Sequence, residues 1–269
     1  MPDYPLLLSC VALGAFAGFM GGMLGIGGGV IIVPVLIALF DMQYVIPLAH
    51  VTNVAVGTSL TTIIFSSLAA ARAQVKRGAV RWDIVRNWAP GLLAGSLFAG
   101  LVAPWIPSHV ARLFIGVFLG VIAVIMSTNW TPPPHRQLPK PAGNGLIAMA
   151  AGTVSGLAGI GGGNVIVPTL VYFNVAMHNA SATASALGVP IALFGAVGYI
   201  ASGWHAAGMP SFSVGYVYLP AALTIIATSV IAAPLGVSVG HRVSAPHLKR
   251  VFAIALAIAA ARMLYSALR

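Results

Sequence analysis

Long apolar runs cover almost the whole chain, and they constrain its fold more than any other feature of the sequence. Only 13 Lys and Arg and 3 Asp and Glu occur among the 269 residues, so charged residues make up 6% of the chain, against roughly 25% in a soluble domain. A water-soluble fold is excluded because its surface would need far more charge. The apolar runs fall at about 6–23, 28–40, 48–71, 84–104, 109–128, 144–158, 163–175, 183–203, 214–238 and 248–268.

These runs predict an all-α polytopic membrane protein that crosses the lipid bilayer several times. At about 20 apolar residues per spanning helix, the chain has room for about eight to ten membrane elements. The net charge of +10 does not indicate a nucleic-acid partner, because the basic residues lie in short loops between apolar runs, where they orient a membrane protein. The single cysteine, Cys10, excludes a disulfide within the chain and a multi-cysteine metal site. No metal or cofactor is predicted.

A glycine-rich motif occurs twice and divides the chain into two repeats. The segment GIGGGVIIVP at 25–34 returns as GIGGGNVIVP at 159–168, with eight of ten positions identical at an offset of 134 residues. A proline-rich stretch between the motifs, TPPPHRQLPKPAGNG, is predicted to be a cytoplasmic linker. The predicted organisation is a first membrane repeat at 1–130, the linker at 131–145 and a second membrane repeat at 146–269.

The distribution of positive charge favours repeats of inverted orientation. Loop 72–86 has five basic residues and loop 239–250 has three, whereas loops 41–47 and 204–213 have no Lys or Arg. If each glycine motif only interrupts a spanning helix, the halves run parallel and the second half violates the positive-inside rule. If each motif is the tip of a hairpin that returns to its starting side, all the basic loops face the cytoplasm. The hairpin arrangement is therefore preferred, with both termini outside.

The glycine motifs are also the predicted binding site. The helix after each motif is about 13 residues long, too short to cross about 30 Å of hydrocarbon at about 1.5 Å per residue. A helix that begins inside the membrane has unpaired N–H groups and a partial charge of about +0.5 at its N-terminus. Two such N-termini near the midplane would bind an anion, and close helix packing through small residues is the alternative. The glycines expected to bind are Gly27, Gly28, Gly29, Gly161, Gly162 and Gly163.

The doubled motif resembles the TauE/SafE sulfite-exporter family, also called the toluene sulfonate uptake permeases. Segments of the second half are similar to the same family, namely ASALG at 184–188, GYVYLP at 215–220, APLG at 233–236 and LKRVF at 248–252. The resemblance extends over nearly the whole chain. It implies a carrier in the bacterial inner membrane for sulfite or a small organosulfonate, and it does not specify which of these anions is carried.

Three polar residues near the motifs or near helix starts are candidates for contact with the anion. Asn164 stands in the second motif where the first has Val30. The two motifs therefore differ at this position, and the amide side chain of Asn164 can contact the anion. Ser59 and Ser185 lie near the starts of corresponding helices. Their hydroxyls can donate to sulfonate oxygens, or to carbonyls of their own helix, which is the more common arrangement.

Residues that can carry a coupling proton are few. The chain has no glutamate, and its three aspartates, Asp3, Asp41 and Asp83, lie at predicted helix ends or in loops. A buried carboxylate relay of the kind that proton pumps use is therefore not predicted. His50 and His178 occupy roughly equivalent places in the two repeats and are candidates for proton coupling. Ordinary interfacial histidines are the alternative.

The sequence as a whole predicts a secondary transporter that moves a small sulfur oxyanion through a midplane site. An anion channel, or a uniporter for another small organic or inorganic anion, is the alternative. An enzyme is not predicted, because the sequence has no GxSxG elbow, no HExxH pair and no buried acid. Glycine pairs such as Gly91 with Gly95 and Gly116 with Gly120 have the spacing that would allow a homodimer.

Overall fold

The described residues form ten α-helices, and each helix corresponds to one of the ten apolar runs. The structure is a computed structural model that describes residues 4–24, 28–43, 45–128, 141–240 and 245–268. The helical membrane architecture predicted from the sequence is confirmed. The helices are α1 (Tyr4–Leu24), α2 (Gly29–Gln43), α3 (Val51–Val75), α4 (Trp82–Val102), α5 (Ser108–Ser127), α6 (Pro141–Ala158), α7 (Gly163–Tyr172), α8 (Met177–Gly203), α9 (Leu219–Gly240) and α10 (Ala245–Ala267).

Helix length and surface composition fit a protein that crosses the membrane several times. Within the described residues, six helices are long and apolar enough to span a bilayer, namely α1, α3, α4, α5, α8 and α9. The outer face of α5 exposes Leu113, Val117, Val121 and Val124. These residues are spaced three or four apart and therefore share one face of the helix. An exposed apolar stripe of this kind is suited to contact with lipid.

The structure adds two details that the sequence analysis did not predict. A short antiparallel pair, β1 (Ser213–Val214) and β2 (Val217–Tyr218), precedes α9, and Gly215 in its turn has a φ of 55°. Helix α6 begins at Pro141, inside the segment predicted as linker up to residue 145. Proline suits a first helical position because that residue has no N–H partner in the helix. The rest of the predicted linker, residues 131–140, lies outside the described residues.

Helices from opposite halves pack closely through glycine. Helix α1 lies against α9, and a Cβ on Gly18 would come within 2.6 Å of the Ser229 backbone. Helix α4 lies against α6, where a Cβ on Gly95 would collide with the carbonyl oxygen of Met149. Backbones approach this closely only where side chains are small. The two halves are therefore joined along two glycine-lined interfaces.

Glycines whose spacing would allow a homodimer also contact helices of the same chain. A Cβ on Gly91 would lie 2.5 Å from the carbonyl oxygen of Gly145 in α6, and Gly95 is covered by the same helix. A Cβ on Gly116 would lie 3.0 Å from the side chain of Leu264 in α10. These three glycines therefore pack against other helices of the same chain, and a homodimer stays a prediction from the sequence.

Contacts along the interfaces show that α1, α3 and α9 run in the same direction. In each pair of packed helices, residues near the start of one helix contact residues near the start of the other, which shows that the two helices are parallel. Since α1 and α3 are parallel, the intervening helix α2 returns toward the end where α1 began. The contacts are Gly14–Ile225 and Gly22–Ala233 between α1 and α9, and Thr58–Tyr218 and Arg77–Val237 between α3 and α9.

The second half repeats this arrangement with α6, α8 and α4. These three helices also run parallel to one another, so α7 returns toward the end where α6 began. The contacts are Gly145–Gly91 and Gly156–Ala99 between α6 and α4, and Thr183–Arg81 and Ser202–Gly100 between α8 and α4.

Corresponding helices of the two halves run antiparallel where they meet. Gly57 of α3 lies near Tyr199 of α8, and Ser67 of α3 lies near Gly188 of α8. Helices α5 and α10 show the same antiparallel order through the contacts Gly116–Leu264 and Gly120–Ala260. We call end A the end of the bundle where α1, α3, α5 and α9 begin, and end B the end where α4, α6, α8 and α10 begin.

Candidate functional site

The two glycine motifs meet inside the helical bundle. A Cβ on Gly29 would lie 3.0 Å from Cα of Ile160 and would collide with the carbonyl oxygen of Gly159. The hydroxyl of Ser59 on α3 donates a hydrogen bond of 2.9 Å to the same carbonyl. Gly159 has a φ of 68°, in the left-handed region that glycine adopts without strain. The turn before α7 is therefore held against the start of α2 by backbone contact.

The first residues of α2 and α7 have free N–H groups. In α7 the first helical hydrogen bonds are donated by Val165 and Ile166 to the carbonyl of Gly162, at 2.9 and 2.7 Å. In α2 the corresponding bonds are donated by Ile31 and Ile32 to the carbonyl of Gly28, at 3.1 and 3.2 Å. The N–H groups that precede these donors have no helical acceptor, as at every helix start. Both helices thus begin in the protein interior, where their first backbone N–H groups can donate hydrogen bonds to a ligand.

A small cavity lies beside the start of both half-helices, and we call it the glycine cavity. Its volume is about 10 Å³, close to the space that a single water molecule needs, so it would have to widen to admit an anion such as sulfite. None of its described lining residues carries a charged side chain. The lining residues are Gly18, Gly21, Gly22, Gly28, Ser66, Ser67, Ala70, Gly161, Ala184, Ser185 and Ala233.

Three residues predicted from the sequence line the glycine cavity. They are Gly28 from the first motif, Gly161 from the second motif and Ser185 from α8. Ser185 is 6% exposed, and its hydroxyl also donates to the carbonyl of Ser181 in its own helix, at 3.1 Å. Helix α8 and both motifs therefore contribute to one cavity, although they are far apart in sequence. Gly27 lies outside the described residues.

The other predicted site residues of the motifs lie near the cavity without lining it. Gly29 and Gly163 are the first residues of α2 and α7, and Gly162 caps α7 with a φ of 77°. Asn164 follows in the first turn of α7, and its Nδ2 is buried without a hydrogen-bond partner among the described residues. Ser59 is fully buried and its hydroxyl is bonded to the motif backbone, so the structure gives it a role in holding the turn.

The two candidate histidines lie at opposite ends of the bundle, away from the glycine cavity. His50 precedes α3 at end A, and its Nδ1 lies 3.4 Å from the hydroxyl of Tyr216. Burial raises the pKa of the Tyr216 hydroxyl, while a hydrogen bond with Asn53 acts in the other direction. His178 is exposed in the first turn of α8 at end B. Proton coupling through either histidine stays a prediction from the sequence.

Three serines near the motifs were not predicted from the sequence. Ser66 and Ser67 on α3 line the glycine cavity, and Ser155 on α6 lies 3.5 Å from the position that a Cβ on Gly162 would occupy. All three are buried. Serine is common in membrane helices, where it usually bonds to a carbonyl of its own helix. The sequence therefore has no signal that distinguishes these three serines from the others.

A second cavity of about 140 Å³ lies toward end A, and we call it the end-A cavity. Val56 separates it from the motif, because a Cβ on Gly159 would lie 3.1 Å from its side chain. The turn from Gly159 to Gly161 therefore lies between the end-A cavity and the glycine cavity. The lining residues are Thr52, Asn53, Val56, Ala103, Ile106, Val110, Ala111, Phe114, Leu157 and Tyr199.

Comparison with known proteins gives one consistent result. The family described as "Sulfite exporter TauE/SafE" matches residues 10–263. A probable membrane transporter protein of Haemophilus influenzae is 34% identical over 265 residues, which cover 97% of this chain and 98% of the relative. A probable membrane transporter protein of Methanocaldococcus jannaschii is 28% identical over 91% of this chain and 90% of its own length. No solved structure matches the chain. The chain belongs to the TauE/SafE sulfite exporter family.

Proposed function

We propose that this protein is a secondary transporter that moves a small sulfur oxyanion, sulfite or an organosulfonate, across the bacterial inner membrane. The family description and the names of the relatives support membrane transport, and only the family description points to sulfite. The observation that carries the proposal is the meeting of two helix N-termini at one buried cavity. Free N–H groups and two partial positive charges of about +0.5 each favour an anion there.

The lining of the glycine cavity supports an anion over a cation. Its described residues supply glycine backbone and serine hydroxyls, and no carboxylate. A cation in the membrane interior needs carboxylate or carbonyl ligands to offset the loss of its hydration. Helix N-termini would instead repel it. The site residues that we propose are Gly28, Gly29, Gly161, Gly162, Gly163, Asn164 and Ser185.

We further propose that the halves are inverted repeats that expose the site alternately to each side. Corresponding helices run antiparallel, and each motif is followed by a helix that returns toward its starting end, which supports this arrangement. Basic residues of the α3–α4 loop at end B support a cytoplasmic location of that end. Movement of the Gly159–Gly161 turn between the two cavities would open one route and close the other.

A ligand panel tests the proposed substrate class. The melting temperature of the purified protein is measured with sulfite, methanesulfonate, sulfate, acetate and chloride at matched ionic strength. A ligand at 100 times its dissociation constant stabilises the folded protein by about 2.7 kcal/mol. We expect a rise with sulfite or methanesulfonate. An equal response to every anion, or none, would overturn the proposal.

A glycine variant tests whether the rise in melting temperature with sulfite depends on the glycine cavity. A Cβ on Gly188 would lie 2.9 Å from both the carbonyl oxygen of Gly161 and the hydroxyl oxygen of Ser67. We expect Gly188→Ala to abolish the sulfite response because it displaces groups at the cavity wall. Gly145→Ala is the matched control, since nothing lies within 4 Å of its added Cβ. An equal sulfite response in both variants would exclude the glycine cavity as the site.

Flux measurements distinguish the carrier from a channel. In proteoliposomes loaded with unlabelled sulfite, a carrier should take up labelled sulfite by counterflow and saturate with concentration. Flux that rises linearly with concentration, without counterflow, would identify an anion channel instead.

A further inference from the structure

Two buried hydroxyls next to the α7 turn have no hydrogen-bond partner among the described residues. Ser67 is 4% exposed and lines the glycine cavity, and none of the hydrogen bonds between described residues involves its hydroxyl. Ser155 is fully buried, and its Oγ is likewise without a partner. Buried polar groups in folded proteins are nearly always paired, so an unpaired hydroxyl requires an explanation.

Other buried serines in the membrane helices show the usual solution. Ser66 donates to the carbonyl of Ile63 at 3.4 Å, and Ser96 donates to the carbonyl of Leu93 at 3.2 Å. A hydroxyl satisfied by its own helix has no need of a ligand. Ser67 follows Ser66 in the same helix, so its side chain points about 100° away around the helix axis and has different neighbours.

The two unpaired hydroxyls adjoin consecutive glycines of the second motif. A Cβ on Gly188 would lie 2.9 Å from Oγ of Ser67 and from the carbonyl oxygen of Gly161, which places the hydroxyl beside that glycine. Oγ of Ser155 lies 3.5 Å from the position of a Cβ on Gly162. Hydroxyls from α3 and from α6 therefore lie next to the turn. The residues that follow this turn have the free N–H groups at the start of α7.

The first motif lacks an equivalent set of hydroxyls. At the repeat offset of 134 residues, Ser155 corresponds to Gly21, which also lines the glycine cavity and has no side chain to donate. The side chain of Asn164, whose Nδ2 is unpaired, corresponds to Val30. Two side-chain donors near the start of α7, Ser155 and Asn164, therefore have no counterpart at the start of α2, although both helix starts have free backbone N–H groups.

We infer that Ser67 and Ser155, together with the first N–H groups of α7, bind the oxygen atoms of the transported anion. This inference rests on the proposed function and adds to it the residues that select the substrate. Donors from α3, α6 and α7 suit an ion that presents three or more oxygens in a pyramidal or tetrahedral group. A sulfite or sulfonate group meets this requirement, whereas a carboxylate has two oxygens and chloride has none.

Alanine variants of the two serines test the inference. We expect Ser67→Ala and Ser155→Ala each to raise the Kd for sulfite about tenfold, which corresponds to about 1.4 kcal/mol. The melting temperature without anion should stay the same or rise, because removing an unpaired buried hydroxyl relieves a desolvation cost. A structural role would give the opposite signature, a lower melting temperature with an unchanged Kd.

Ser96→Ala is the matched control. It removes a fully buried hydroxyl of α4 that already donates to the carbonyl of Leu93 in its own helix and does not line the glycine cavity, so the Kd for sulfite should change little. Chloride and acetate, titrated against the unaltered protein at matched ionic strength, should bind at least tenfold more weakly than sulfite and methanesulfonate. Equal affinity for all four would overturn the assignment of the ligand class.

The outcomes separate this inference from the proposed function. If the unaltered protein binds sulfite and both alanine variants bind it equally well, the two hydroxyls are not ligands and the proposed function stands. If the unaltered protein binds none of the four anions, the proposed function fails and the inference fails with it.

Discussion

At the scale of single residues, Ser59 shows how far a sequence pattern can assign a role. Its place near the start of α3 makes it a candidate ligand, and the structure instead shows its hydroxyl donating to the carbonyl of Gly159 across 100 residues of sequence. A turn inside a membrane protein needs such partners, because its backbone groups cannot bond to water. Ser59 therefore contributes to the site by holding the turn.

Replacing Ser59 with alanine should destabilise the protein. We expect Ser59→Ala to lower the free energy of unfolding by about 1–3 kcal/mol, because the buried carbonyl of Gly159 loses its partner. The check is the melting temperature in detergent, with Ser229→Ala as control, since that hydroxyl bonds within its own helix to Ile226. Weaker sulfite binding at an unchanged melting temperature would restore the ligand role.

The glycines of the site could be predicted from the sequence, and most of its serines could not. Eight identities in ten, repeated at one offset, identify Gly28 and Gly161 without any structure. Ser67 and Ser155 stand in ordinary apolar helices, and their importance depends on which residues of other helices surround them. That information comes from the packing of α3 and α6 against the α7 turn, which no local pattern encodes.

At the scale of elements, the apolar runs predicted all ten helices, and the errors were confined to their ends. Helix α8 begins at Met177, six residues before the apolar run that predicted it at 183. Its first turns, MHNASA, are polar enough to interrupt a hydropathy pattern but remain compatible with a helix. A hydropathy pattern identifies the part of a helix that lies in lipid, and the helix can extend beyond that part.

A similar hydrogen bond occurs in each half of the chain. Thr58 on α3 accepts a bond of 3.0 Å from the N–H of Tyr218, the residue before α9. Thr183 on α8 accepts a bond of 3.1 Å from the N–H of Arg81, the residue before α4. Matching Ser59 with Ser185 from the sequence places Thr58 opposite Ala184, one position from Thr183, because weak similarity cannot fix a register that tertiary contacts determine.

Removal of either threonine hydroxyl should have a similar effect. We expect Thr58→Val and Thr183→Val each to lower the free energy of unfolding by about 1–3 kcal/mol, because each leaves a backbone N–H without its partner. Thr61→Val is the control, since its hydroxyl bonds to Gly57 in the same helix. Melting temperatures that fall for one variant and not for the other would contradict the equivalence of the halves.

At the scale of the whole molecule, the halves are interlocked and are not two separate bodies. Helix α1 of the first half packs against α9 of the second, and α6 of the second packs against α4 of the first. A rigid-body movement that separated residues 1–130 from the rest would break both interfaces. Any rocking motion must therefore carry helices of both halves together.

The orientation of the halves can be tested by labelling. In a Cys10→Ala background, Val75→Cys at end B and Ala207→Cys at end A should lie on opposite sides of the membrane, because both positions are exposed at opposite ends of the bundle. A maleimide that cannot cross the membrane should label Ala207→Cys in intact cells and Val75→Cys only after lysis. Labelling of both from the same side would show that the halves are parallel.

The α1–α9 interface also affects how the protein is made. About 200 residues separate the end of α1 from the start of α9, and ribosomes add roughly 5–20 residues per second. The glycine-lined face of α1 is therefore synthesised on the order of 10–40 s before α9. The contact between α1 and α9 can therefore form only after most of the chain has been synthesised.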